Sequence, residues 1–252
     1  MATKKTVLLY PAILGTFVCI AFALLLVSCG GSADKTGSAP EEKLAIALSW
    51  IRSQPTEATS VLGTWSYGNE GKDARFDYAD VQPSGDRIVS GPYWAIDGTY
   101  YWANGNDISS ISWTQIAERL TDRELADVVS LVAVFSLGDP YRILLALDPA
   151  SLSWSDDKTT IEGRALVRDI LLLALPVGAA DMVEKDITSE FMTVQLVVGE
   201  TGEPVSVTCE MLPGPAGLVT YRWTPAEAAP IPPEGSTPVI SKSAACQPTM
   251  PS

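Results

Sequence analysis

The sequence predicts an α+β fold: one strongly curved antiparallel sheet, covered on one face by helices. Three observations predict it. Two stretches, from about Thr59 to Trp113 and from Thr159 to Trp223, hold short β-rich runs cut by turn clusters. Between them lies a block with apolar residues at helical spacing. Strands of period two have one apolar face, and the helices are what can cover it. Composition agrees, since 46% of the residues are hydrophobic and 19% charged, enough to bury a core.

In chain order, Lys4 and Lys5 precede a mostly apolar run, Val7–Val27. A run of about 20 such residues can cross a bilayer as a helix or act as a secretory signal that is removed. Leu26-Val27-Ser28-Cys29, followed by Gly30, resembles the lipobox of a bacterial lipoprotein. Small residues before the cysteine suit a peptidase cleft, and the Cys29 thiol is the nucleophile for lipid transfer. This resemblance implies a signal peptide over 1–28 and lipidation at Cys29 with palmitate-type chains. Two acyl chains anchor stably where one is marginal. The positive segment stays cytoplasmic, so the domain is expected on the extracytoplasmic face of a bacterial membrane.

Residues 29–39 read as a flexible Gly/Ser/Ala tether. Pro40 opens a helix with Glu41 and Glu42 in its first turn, where acids favour the dipole. Leu44, Leu48 and Ile51 share one face, and Pro55 stops it. Arg75–Tyr78 alternates, and Ser84-Gly85-Asp86, Asp97-Gly98 and Asn104-Gly105-Asn106 are turns of an antiparallel meander. Thr121 and Glu124 form a capping box ahead of Leu125, Val128, Val129, Val132 and Phe135; Gly138 ends that helix. Asp139-Pro140 opens another, with Ile143, Leu144 and Leu147, and Asp148-Pro149 closes it. Thr159–Val167 reads as a strand, and Ile170–Val177 fits helix or strand. Met192–Val198 and Val205–Met211 read as strands around Glu200-Thr201-Gly202, the second with Val205, Val207, Cys209 and Met211 on one face. A last strand ends near Trp223. Residues 225–252, rich in proline, alanine and serine, read as an extended, largely disordered tail.

The net charge is −13, and a chain with this balance is a poor partner for nucleic acid. It has no histidine, which excludes Ser-His-Asp and Cys-His pairs, His-containing zinc sites and a histidine pH switch. The adjacent acids Asp156-Asp157 and Glu41-Glu42 point apart and read as solvated. Ser32–Lys35 and Lys35-Thr36-Gly37 match penicillin-binding elements but share Lys35 and sit in the tether; Ser155–Lys158 has no partner motif. There is no P-loop or G-x-S-x-G, and the acidic turn at Asn104, Asn106 and Asp107 lacks EF-hand spacing. No enzyme activity, cofactor or metal is expected. Of the four cysteines, Cys19 leaves with the signal and Cys29 carries lipid. Cys209 and Cys246 either pair, pinning the tail to the sheet, or stay as two thiols.

Several local patterns together resemble the LolA/LppX-like bacterial lipoproteins. They are Asp97-Gly98-Thr99-Tyr100-Tyr101-Trp102 with Trp113 after it, and Asp139-Pro140 with Leu144 and Leu145. Thr159–Arg164 is a third. The closing strands with Val194, Thr201, Gly202, Pro204 and Val205, and the strand through Trp223, complete the order. The resemblance covers about 41–224, so the domain is placed at 40–224. It implies a half-open β-barrel with helices on its concave side, and binding or transfer of a lipid or other apolar ligand without catalysis. The candidate lining is Trp65, Phe76, Tyr78, Trp94 and Trp102 from the first meander, Val128, Val132, Phe135 and Leu144 from the helices, and Val205, Val207 and Met211 from the second meander. Ordinary core packing uses the same residue types. A filled barrel would instead make this an envelope lipoprotein that binds a protein partner or serves a structural role.

Overall fold

The structure, a computed structural model, describes residues 38–78, 92–104, 106–118, 125–156, 158–181, 183, 190–210 and 217–238. Helix α1 (Pro40–Ser53) begins on a proline, which needs no donor there, and buries Leu44, Ala47 and Ile51. Strands β1 (Thr56–Ser60), β2 (Gly63–Gly68), β3 (Asp73–Tyr78), β4 (Tyr93–Ile96), β5 (Thr99–Asn104) and β6 (Asp107–Ser112) follow as an antiparallel meander. Then come the helical elements α2 (Trp113–Glu118), α3 (Leu125–Leu137) and α4 (Pro140–Leu145). The capping box at Thr121 and Glu124 lies outside the described residues. Gly138 closes α3, its N–H reaching the Val134 carbonyl at 3.2 Å. The two-residue β7 (Ser153–Trp154) leads into β8 (Thr160–Leu166). The stretch that fitted helix or strand, Ile170–Val177, holds the end of a short helix α5 (Val167–Leu172) and the start of another, α6 (Val177–Ala180), which follows Pro176. Strands β9 (Phe191–Val198), β10 (Pro204–Glu210), β11 (Leu218–Pro225) and β12 (Thr237–Pro238) complete the order.

All strands join one open sheet, ordered β12-β6-β5-β4-β3-β2-β1-β11-β10-β9-β8-β7. The two meanders meet where β1 pairs with β11, Thr56 opposite Pro225 and Ala58 opposite Trp223. The order has two ends, so the sheet does not close. The architecture is the expected α+β one, an open and almost wholly antiparallel sheet with helices. Burial alternates along β8, β9 and β11, so every second side chain enters the core. Helix α3 is apolar almost all round, and Val128, Val129, Val132 and Phe135 are buried with residues from both meanders.

One strand departs from the predicted alternation. On β10, Pro204 faces Val198 while Ser206 faces Val197, so Val205 is an extra residue in the ladder. This β-bulge turns Val205 outward, where it is 46% exposed, while Val207 and Cys209 stay buried. The expectation that Val205 shares their face is therefore corrected.

After β11 the chain passes the ends of β1 and β2, the Ala226 N–H donating to the Pro55 carbonyl at 2.9 Å. Gly68 lets it pass close, because a Cβ there would overlap Ala229. Thr237 and Pro238 then pair parallel with Ser109 and Ser110 of β6. Residues 226–238, expected as part of a loose tail, hold this place in the structure.

Candidate functional site

The Asp-Pro pair that opens α4 organises a buried polar cluster. Asp139 is the N-cap: its Oδ1 accepts from the Tyr141 and Arg142 N–H groups at 3.0 and 3.2 Å. The same oxygen accepts from the Tyr67 hydroxyl at 2.8 Å. Oδ2 pairs with Arg142 Nε at 3.3 Å. Arg142 Nη1 donates to Ser136 Oγ at 3.0 Å, and that hydroxyl bonds back to the Val132 carbonyl within α3. Tyr100, hydrogen-bonded to Arg142, donates to the Ala174 carbonyl, and Tyr221 donates to Gly138 O at 3.0 Å. Burial pushes the Asp139 carboxyl above its ordinary range, against the pull of Arg142, the Tyr67 hydroxyl and the two backbone N–H groups. Burial and the neighbouring Asp139 both push the Tyr67 hydroxyl up. A charge placed here is costly without partners, and these donors are the partners.

Above this cluster a half-open cleft of about 480 Å³ faces solvent. Its buried lining is Tyr100, Tyr141 and Ala95, with Arg142 only 13% exposed on its side chain. Its exposed lining has two characters. Arg52, Glu70 and Lys72 are polar, whereas Trp113 and Leu173 are apolar and about half exposed, with Leu145 half-buried near them. Gly71 also lines the cleft, with φ +79°, and a Cβ there would overlap the Tyr141 ring. The cleft thus draws on the last turn of α1, the turn after β2, strands β4 and β5, and the ends of α2, α4 and α5.

Of the ten predicted lining residues whose side chains are described, none lines this cleft. The structure does bring eight of them together elsewhere. Trp65, Phe76, Trp102, Val128, Val132, Phe135, Leu144 and Val207 are buried in one core. Rings pack against one another in that interior: Trp65 stacks on Phe76 at 4.8 Å between centroids, and Phe135 on Tyr93 at 4.0 Å. Trp94 is buried but faces the other side of the sheet, where Arg75 lies over its ring at 5.5 Å. Tyr93 takes the interior position beside Trp102, because neighbours on a strand alternate. Val205 is outside through its bulge. The Tyr78 side chain, Met211, Cys29 and Cys246 lie outside what the structure describes. Cys209 is a buried free thiol, and burial pushes it up to about 12.

The cleft residues were missed because they are scattered in sequence. Three signals pointed near them. Tyr100 and Trp113 belong to the aromatic pattern, Leu145 to the Asp-Pro pattern. Arg142 is the lone charge in Tyr141-Arg142-Ile143-Leu144-Leu145, and such a charge needs a partner.

Among solved structures, the chain is similar to LprF from Mycobacterium bovis, at 11% identity and a TM-score of 0.38. That match covers 79% of this chain and 99% of LprF. It is also similar to Mycobacterium tuberculosis lipoprotein LppX, at 13% identity and a TM-score of 0.30, covering 74% of this chain and 95% of LppX. No family model matches the chain, and no curated protein does.

Proposed function

We propose that the protein is a lipid-anchored extracytoplasmic lipoprotein that binds an amphipathic ligand, a lipid, in this rim cleft and does no chemistry on it. The observation that carries this reading is the cleft itself. Its volume lies within the roughly 300–1,000 Å³ of small-molecule sites, and it joins the apolar surface of Trp113, Leu145 and Leu173 to a buried polar floor. Burying an alkyl chain there gains about 0.8 kcal/mol per CH₂. Glu70 is the one acid in its lining among the described residues, so no carboxylate pair converges on a bound molecule. The packing of rings in the core moves the proposed site from the interior to the rim. Anchoring rests on the lipobox at Leu26–Gly30. Among the described residues no helix is long and apolar enough to cross a membrane.

Native mass spectrometry of the protein, followed by organic extraction, tests the binding. A mass excess that is lost on denaturation and recovered as lipid supports it. A clean apo mass moves the weight to a protein-binding or structural envelope lipoprotein. One observation favours that second reading: rings pack in the interior, while Leu172, Leu173 and Val177 stand exposed on the helical side. Anchoring is tested separately, since Cys29→Ser removes the acyl acceptor and should release the protein from membranes. A Cys29→Ser chain that stays membrane-bound at full length overturns the lipobox.

A further inference from the structure

The charge of the cleft runs against that of the whole chain. Acids outnumber bases 30 to 17 overall, yet the lining holds Arg52, Lys72 and Arg142 against Glu70. Two of these cations already have an acid. Lys72 pairs with Glu70 at 3.2 Å, and Arg142 with Asp139 at 3.3 Å. Arg52 pairs with no carboxylate among the described residues. Its Nε donates instead to the Tyr141 hydroxyl at 2.8 Å. Tyr141 is buried, its N–H donating to Asp139 Oδ1 at 3.0 Å and its hydroxyl to the Glu70 carbonyl at 3.4 Å, so this bond ties Arg52 to a fixed point of the cleft lining. Across the same cleft lie Trp113, Leu145 and Leu173.

We infer that the ligand is an acidic amphiphile, its anionic head held by Arg52 and its alkyl chain laid over Trp113, Leu145 and Leu173. This rests on the lipid-binding reading and names its ligand class. A guanidinium matches a carboxylate or phosphate through paired N–H donors. Arg142, reached from the cleft but neutralised by Asp139, adds field rather than a free charge. Because Arg52 is exposed, the preference for an acid is set at about tenfold and shrinks with salt.

The test uses the full chain in phosphatidylcholine nanodiscs, with cis-parinarate as a fluorescent reporter excited through tryptophan. Trp113→Phe should cut the energy transfer and so place the probe at the cleft. Palmitate should displace the probe at about one-tenth the concentration of methyl palmitate, and inorganic phosphate should not displace it. Arg52→Gln should bring the two competitors to within about twofold while lowering the thermal midpoint by no more than about 4 °C, the cost of its hydrogen bond to Tyr141. Equal potency of acid and ester in the wild type overturns the acidic-head inference and leaves lipid binding standing. A preference that survives Arg52→Gln overturns the role of Arg52. Phosphate competing as well as palmitate makes this a simple anion site and overturns the amphiphile. No saturable uptake of any chain overturns the proposed function itself.

Discussion

Replacing Asp139 by alanine should be among the most damaging single changes this protein can suffer. The carboxylate is 1% exposed and serves four groups at once: two backbone N–H donors of α4, the Tyr67 hydroxyl and the Arg142 guanidinium. Losing the cap costs about 1 kcal/mol. Leaving the Tyr67 hydroxyl buried without a partner costs about 1–3 kcal/mol. Leaving Arg142 uncompensated costs about 3–5 kcal/mol. The three share one side chain and do not add, so about 4–5 kcal/mol is expected. That is a large part of the roughly 5–15 kcal/mol by which a domain is folded. Asp139→Asn keeps an acceptor for the cap and for Tyr67 and should lose about half as much. The double change Asp139→Ala with Arg142→Met removes the orphaned charge and should recover part of the loss. Urea unfolding, followed by tryptophan fluorescence at fixed pH, measures all three. A loss below about 1 kcal/mol for Asp139→Ala, or a double variant no more stable than the single one, would refute the claim that this buried cluster holds α4.

Other consequences can be checked in the same way. The Tyr93 hydroxyl is buried with no hydrogen-bond partner among the described residues, so Tyr93→Phe should raise stability by about 1 kcal/mol; a fall of that size would mean that the hydroxyl is satisfied. Val205→Lys, at the outward bulge, should change stability by less than about 0.5 kcal/mol, whereas Val207→Lys should prevent folding, and similar circular dichroism melts for the two would reject the bulge. Burial pushes the Cys209 thiol up to about 12 in the folded chain, against about 8.5 when unfolded. A raised folded value means that its contribution is complete below about pH 8.5 and is lost as pH climbs toward 12, at about 1.4 kcal/mol per unit. Cys209→Ala should flatten the alkaline fall in urea midpoint by that slope, and an unchanged slope would count against a buried protonated thiol.

What could be read in advance follows from how locally each feature is encoded. The helix at Pro40, the Asp139-Pro140 helix start and the strands of both meanders were legible because their signals lie within a few residues: a proline, a cap, an alternation. Facing was harder. Tyr93-Trp94 and Tyr100-Tyr101-Trp102 put large rings on both sides of the sheet, so alternation of apolar and polar residues carries no sign there, and Trp94 was placed on the wrong face. At Val205 a bulge adds one residue, which no apolar count reveals, since the outward valine looks like the inward ones. Ile170–Val177 was ambiguous because it is apolar throughout and joins the ends of two helices only six and four residues long. The cleft was not legible as a site, although single residues of it lay in recognised patterns. Arg52, Trp113 and Arg142 come from three elements that only the sheet order brings together, and no spacing in the chain relates them.

The ends of the sheet also bear on how many copies can live side by side. An open sheet offers unpaired N–H and C=O groups at both margins, and a long bare margin is a template for strand addition between molecules. Here each margin closes on a strand of two residues, β12 on one side and β7 on the other. The β12 margin carries Pro238, which has no N–H to give. Behind β7, the next strand turns Glu162 and Arg164 outward. With a net charge of −13, neighbouring copies also repel one another. If the proposed lipid anchor holds the protein in one plane, copies meet far more often than they would in free solution. Such blunted margins would then let them crowd together without adding strand to strand.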